Sequence, residues 1–173
     1  MEESGEMWGK LCTFETAIPY KDVRMRFLGN IEAKIDAKGR VFLPSAFRKV
    51  LLADQQEGIV MRKDVYQSCL VIYPDSIWNE QMDTLRSKLN RWDKTQQQVF
   101  RQFVSEVEAI TLDNNGRMLI PKRLIQQVGI QQSVRFVGMG DTIEVWPTEQ
   151  TEQAFMEQNV FGQALEELMK NEE

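Results

Sequence analysis

The side chains best placed to do chemistry come in two matching sets, Asp36-Ala37-Lys38-Gly39-Arg40 and Asp113-Asn114-Asn115-Gly116-Arg117. In each set a carboxylate precedes a guanidinium by four residues, with glycine just before the arginine. An aspartate at this place accepts from backbone N–H groups a little further along and closes a turn. Gly39 and Gly116 supply the positive φ that a sharp reversal needs. The arginine then carries a planar fork of donors that matches O6 and N7 of guanine, a pair worth about 1–3 kcal/mol of base discrimination. A two-stranded β-ribbon tipped by such an arginine fits the major groove. On this reading Arg40 and Arg117 bind DNA, with Lys38 and Lys34 meeting phosphates as point charges. Asp36, Gly39, Asp113 and Gly116 support the turns. The second turn has Asn114 and Asn115 where the first has a lysine, so the first is expected to carry more of the salt dependence.

Two aspartates beside glycines also invite a different reading, a hydrolase in which Asp36 and Asp113 share a proton as general acid and base. The neighbouring arginines oppose it, because a guanidinium favours the ionised form of both acids. A calcium loop fails on spacing, since Gly116 comes too early and Leu124 stands where a bidentate glutamate belongs. The chain has no histidine, which removes the commonest general base and every Ser-His or Cys-His pair. Cys12 and Cys69 stand apart with no Cys-x-x-Cys, so neither zinc nor a disulfide framework is indicated, and two reduced thiols are expected. No metal, cofactor or small-molecule substrate is called for.

The elements that hold these turns follow from an internal repeat. Ile35-Asp36-Ala37-Lys38-Gly39-Arg40-Val41-Phe42-Leu43-Pro44 recurs 77 residues later as Leu112-Asp113-Asn114-Asn115-Gly116-Arg117-Met118-Leu119-Ile120-Pro121. A second landmark, Leu70-Val71-Ile72-Tyr73-Pro74, recurs as Ile143-Glu144-Val145-Trp146-Pro147. Each copy is predicted to run strand, turn, strand, helix, strand, strand. The helices are placed at 44–52 and 121–128, with Pro44 and Pro121 in their first turns and Gly58 and Gly129 punctuating their ends. The later strands are placed at 59–63, 69–73, 133–138 and 142–146. Helical spacing of Ile77, Trp78, Met82, Leu85 and Leu89, and of Val99, Phe100, Phe103, Val104 and Val107, adds two helices between the copies. These apolar stripes are expected to form core or a subunit interface. Ala154-Phe155 and Leu165-Leu168-Met169 mark one or two more at the C-terminal end. With no Gly/Ser-rich linker, the two copies are expected to pack as one body.

The 173 residues carry a net charge of −5, a total that on its own argues against a nucleic-acid partner, but the charge is unevenly spread. Residues 1–24 sum to −2 and residues 148–173 to −6, leaving the middle of the chain at +3. Local potential matters more than the total. There is no secretory h-region at the N-terminus and no apolar run near the ~20 residues that span a bilayer, so a soluble cytoplasmic protein is expected.

The stretch Met25-Arg26-Phe27-Leu28-Gly29, the two Asp-x-x-x-Arg turns and Pro44-Ser45-Ala46-Phe47-Arg48 together resemble the bacterial MraZ transcriptional regulators. The resemblance covers about residues 25–165. It implies an α+β fold, a pseudo-symmetric duplicated swapped-hairpin AbrB-like (double-split β-α-β) barrel with added helices. It divides the chain into an N-terminal extension (1–24), a first repeat with helices (25–105), a second repeat (106–157) and an acidic C-terminal helix (158–173). It further implies a ring-shaped homo-oligomer, nucleoid-associated, that binds repeats in promoter DNA of its own division and cell-wall operon. Arg40 and Arg117 match the DNA-contacting arginines of the family. A structural oligomer with no nucleic-acid role is the alternative from another class; a patch of only +3 binds DNA poorly unless assembly multiplies it.

Overall fold

The computed structural model describes residues 26–56 and 58–170. The N-terminal extension, Cys12 and the last three residues of the acidic tail lie outside them. The expected repeat unit is present twice. The first copy has β1 (Asn30–Lys34), β2 (Arg40–Phe42), α1 (Ser45–Ala53), β3 (Ile59–Lys63) and β4 (Leu70–Pro74). The second has β5 (Glu108–Ile110), β6 (Arg117–Leu119), α4 (Lys122–Val128), β7 (Ser133–Gly138) and β8 (Ile143–Pro147). Between them lie α2 (Asp75–Lys88) and α3 (Lys94–Ser105); a 3-10 helix (Thr148–Ala154) and α5 (Gln158–Lys170) follow. The fold is α+β with antiparallel sheets.

Proline sets the start of four helical segments. Pro44, Pro74, Pro121 and Pro147 each sit one residue ahead of the helix in extended backbone, with ψ between 134° and 147°. They are caps and not first-turn residues, and their missing N–H costs nothing there. The carbonyls of Pro44 and Pro121 accept the first helical N–H groups at 3.0–3.1 Å. Gly129 closes α4 in the left-handed region at φ 77°. Gly58 does not cap α1, which ends earlier, at Asp54, with Gln55 taking a positive φ of 51°. Gly58 instead lets the Asp75 side chain come close, where a Cβ would collide.

The strands of the two copies interleave. The large sheet runs β1-β7-β8-β4-β3-β5 and a second, two-stranded sheet pairs β2 with β6. Thus β1 of the first copy pairs with β7 of the second, and β5 of the second with β3 of the first. Exchanging the copies reverses the strand order and leaves it otherwise unchanged. At the centre of β2–β6, Val41 pairs with its own repeat counterpart Met118; at the centre of β4–β8, Val71 pairs with its counterpart Glu144. A pseudo-twofold relation therefore runs through the molecule.

The core lies between the large sheet, the β2–β6 ribbon and the two repeat helices. Val41, Leu43, Phe47, Met118, Ile120, Leu124, Phe136 and Val145 are all buried in it. Phe47 meets Phe27 edge-to-face at 5.7 Å. Outside this core, Trp78 of α2 stacks on Phe103 of α3 at 4.9 Å. The buried Arg62 guanidinium also lies against that ring, 4.6 Å from the Phe103 centroid, and donates to the Phe103 carbonyl at 3.0 Å. Arg62 thereby ties α3 to β3 with its charge partly met by a π face. Cys69 is buried beside Trp146 and Val137. Burial above all, then the charges of Glu144 and Asp64, push its thiol up to about 12, so it packs as a small apolar group. It has no disulfide partner among the described residues.

Candidate nucleic-acid interface

Both turns close by the same set of bonds. The Asp36 N–H donates to the Arg40 carbonyl and the Gly39 N–H to the Asp36 carbonyl, each at 3.0 Å. Asp36 Oδ1 accepts from the backbone N–H groups of Lys38 and Arg40, both at 2.9 Å, and Oδ2 accepts from Arg40 Nε at 2.7 Å. Asp113 repeats this with Asn115, Arg117 and Arg117 Nε at 2.9, 2.9 and 2.8 Å. Each carboxylate thus caps its turn and fixes its arginine by one edge. The terminal nitrogens of Arg40 and Arg117 have no protein acceptor among the described residues.

Glycine is required twice over. Gly39 and Gly116 stand at φ 89° and 81°, and each carbonyl accepts an N–H from the other copy: Ile120 to Gly39 at 2.8 Å and Leu43 to Gly116 at 3.0 Å. The turns are thereby bolted across the pseudo-twofold.

The Asp36 carboxyl is held below its ordinary value of 3.8, chiefly by the Arg40 backbone N–H and with help from its side chain, against the opposing effect of desolvation. Asp113 is lowered for the same reasons by Arg117. A proton shared between two carboxylates requires one of them to be raised; both are lowered. Because the folded values lie below the unfolded ones, these groups stabilise the fold above the ordinary carboxylate range, and the contribution is lost as pH falls through the lowered values. The double variant Asp36→Asn/Asp113→Asn is expected to lose less melting temperature than the parent between pH 6 and pH 3. Equal losses in parallel melts would show that the turns do not couple to protonation.

The structure departs from the expected hairpin. β1 and β2 leave the turn for different sheets, so no ribbon of β1 with β2 exists. The ribbon that carries the arginines is β2 with β6, one strand from each copy, with Arg40 opposite Leu119 and Phe42 opposite Arg117. Strand alternation puts Val41 and Met118 into the core and leaves Arg40, Phe42, Arg117 and Leu119 together on the outer face. Both arginines therefore share one exposed surface, which separate hairpin tips would not have provided.

The lysines are placed differently. Lys38 is exposed on the first turn, beside a depression that Lys122 of α4 also lines. Lys34 is exposed on β1 opposite Ser133, in the large sheet and off the ribbon. Across the pseudo-twofold, Arg48 of α1 lies against the second turn, so close that a Cβ on Gly116 would collide with its guanidinium. Its Nε donates to the Leu43 carbonyl at 3.0 Å. Arg48 thus brings to the second turn a further cation, where that loop lacks the lysine of the first. Reasoning from sequence missed Arg48, Lys122, Phe42 and Leu119. Alternation along Val41-Phe42-Leu43 was a signal for Phe42, since buried neighbours on both sides push it outward. For Arg48 there was none, because the turn it meets is in the other copy.

Among the described residues, no helix is long and apolar enough to cross a membrane, and no three acidic or cysteine side chains gather as a metal site. Against known proteins, the family model for MraZ protein, putative antitoxin-like, matches twice in tandem, at residues 26–102 and 103–171. A protein of Phocaeicola vulgatus called transcriptional regulator MraZ is 61% identical over 145 residues, covering 84% of this chain and 94% of the relative. A protein of the same name from Bacteroides fragilis is 57% identical over 148 residues, covering 86% and 94%. One from Shewanella oneidensis is 33% identical over 132 residues, covering 76% and 84%. The double match coincides with the duplicated turns, and the chain belongs to the MraZ family.

Proposed function

We propose that this protein is a sequence-specific DNA-binding transcriptional regulator that reads promoter repeats of its own division and cell-wall operon. The observation that carries the reading is the β2–β6 ribbon, whose outer face presents Arg40 and Arg117 together, each held by an ionised aspartate. Restraint by Asp36 and Asp113 lowers the entropy lost when each fork meets a guanine, and Nε is already taken, so the terminal nitrogens face the base. Relatives at up to 61% identity are named transcriptional regulators. The interleaved strands support an AbrB-like swapped-hairpin barrel made of two repeats, 25–105 and 106–157, with residues 1–24 and 158–173 appended. Lys38, Lys122 and Arg48 flank the ribbon as phosphate contacts, and Lys34 extends the basic surface along β1.

Assembly as a ring-shaped homo-oligomer in the cytoplasm, on the nucleoid, belongs to the same reading. Its support is the apolar surface left outside the core: α5 buries no residue yet carries Val160, Phe161, Leu165 and Leu168, and Tyr66, Trp92 and Val99 are exposed around α2 and α3. A 13-residue helix is marginal in water unless packed, which favours a partner copy. A ring also repeats the weak basic patch several times on one DNA.

A gel shift with duplex DNA from upstream of the protein's own gene tests this. Six or more phosphates neutralised by one ring would cost about a thousandfold in affinity between 50 and 200 mM salt. Absence of any complex at low salt, or a complex indifferent to salt and sequence, would leave a purely structural oligomer.

A further inference from the structure

We propose that Phe42 and Leu119 are specificity-determining residues of the ribbon, packing on thymine methyl groups beside the guanines bound by Arg117 and Arg40. The inference rests on the DNA-binding reading above and specifies what the arginines' neighbours do. Phe42 and Leu119 are 54% and 55% exposed, whereas Val41 and Met118 between them are 1% exposed. A three-residue strand pair thus leaves two large apolar side chains about half exposed to water. They are repeat counterparts, and each lies directly across the ribbon from an arginine: Phe42 from Arg117, Leu119 from Arg40. The Arg117 guanidinium stands 5.8 Å from the Phe42 ring, so the ring also orients the fork.

Two cationic forks alternating with two apolar groups on one narrow face match a specific chemistry. The major groove offers acceptor pairs on guanine and a single kind of apolar group, the C5 methyl of thymine. A protein partner fits less well, because it would have to bury an acceptor pair for each fork or leave a desolvated charge unpaired, whereas every guanine edge already presents such a pair. The pseudo-twofold gives each half of the chain one guanine and one thymine to read. The halves are unequal, since the Phe42 ring is larger than the Leu119 side chain and also lies against its arginine. The thymine read through Phe42 is therefore the more important one.

The test uses duplexes that the full-length protein selects from a random-sequence duplex library, resynthesised with deoxyuridine for thymidine one position at a time. Uracil keeps the hydrogen-bonding edge of thymine and loses only the methyl group. At one or two thymines next to a guanine, the exchange is expected to weaken binding about three- to fivefold, the effect of unburying one methyl. Phe42→Ala should bind the thymine and uracil forms of its site equally, while Phe42→Leu keeps a difference. Leu119→Ala should erase the effect at a different thymine. Deoxyuridine without effect at every position overturns the proposal, as does discrimination that survives both alanine variants. A lower native mass in those variants with discrimination unchanged would make the face a contact between copies. Failure of the parent protein to select any site would overturn the DNA-binding reading itself.

Discussion

Arg40→Ala/Arg117→Ala is expected to abolish sequence-selective DNA binding while the protein keeps its melting temperature and native mass. Each bidentate arginine–guanine pair is worth about 1–3 kcal/mol against the wrong base. Loss of both from one chain is worth about 2–6 kcal/mol, or roughly 30-fold to more than 10⁴-fold in selectivity. Residual binding without sequence preference should remain, because Lys34, Lys38, Arg48 and Lys122 keep their charges. The fold should tolerate the change, since both side chains are part-exposed and Asp36 and Asp113 keep their backbone donors. Arg40→Lys/Arg117→Lys separates charge from geometry. A lysine restores attraction but not the fork, so selectivity stays low while salt-sensitive binding returns. Competition gel shifts with matched and scrambled duplexes measure both. Unchanged selectivity in the alanine pair would remove the turns from the interface.

Gly39→Ala is expected to destabilise the protein by about 2–4 kcal/mol, and Gly116→Ala by about 1–2 kcal/mol. Both replacements put a side chain at positive φ, so that strain is common to the two. What differs is the obstacle. The new Cβ of residue 39 would lie 2.8 Å from the Ile120 carbonyl oxygen, a backbone atom of the residue whose N–H donates to Gly39 itself. It cannot withdraw without opening the junction between the repeats. At residue 116 the obstacle is the Arg48 side chain, whose far end swings away. For a chain of this length the Gly39 variant should melt about 4–16 °C lower than the parent. Thermal melts of both variants decide it; equal losses would mean that strain alone matters and that the carbonyl yields. Because Gly116→Ala displaces Arg48 from the second turn, it should also lower DNA affinity more than its stability loss explains.

How much of this was readable beforehand depended on the range of the interaction. The strands at 59–63 and 133–138 and the helix ending at Val128 came out where residue patterns place them, because periodicity and capping act over a few residues. The Asp-x-x-Gly-Arg turn was equally plain, since its bonds span two to four residues. Gly58 misled, because a glycine shortly after a helix reads as a cap even when it is there to admit Asp75 from a distant segment. The ribbon misled more. A strand, a tight turn and a strand read as a hairpin, yet β1 and β2 separate to pair with β7 and β6. Local signals cannot choose among strands of similar pattern, and a duplicated chain offers every strand two equivalent partners.

The sequence by itself determined the duplication, the two arginine turns, the repeat elements and membership of the family, all of which rest on short-range pattern or on likeness. Beyond what the family resemblance implies, tertiary structure alone decided which strands the copies exchange. That exchange puts Arg40 and Arg117 on one face with Phe42 and Leu119, and brings Arg48 to a turn more than sixty residues away. Strand pairing is the reason, since it is settled by burying both apolar faces at once, and that is a property of the whole chain.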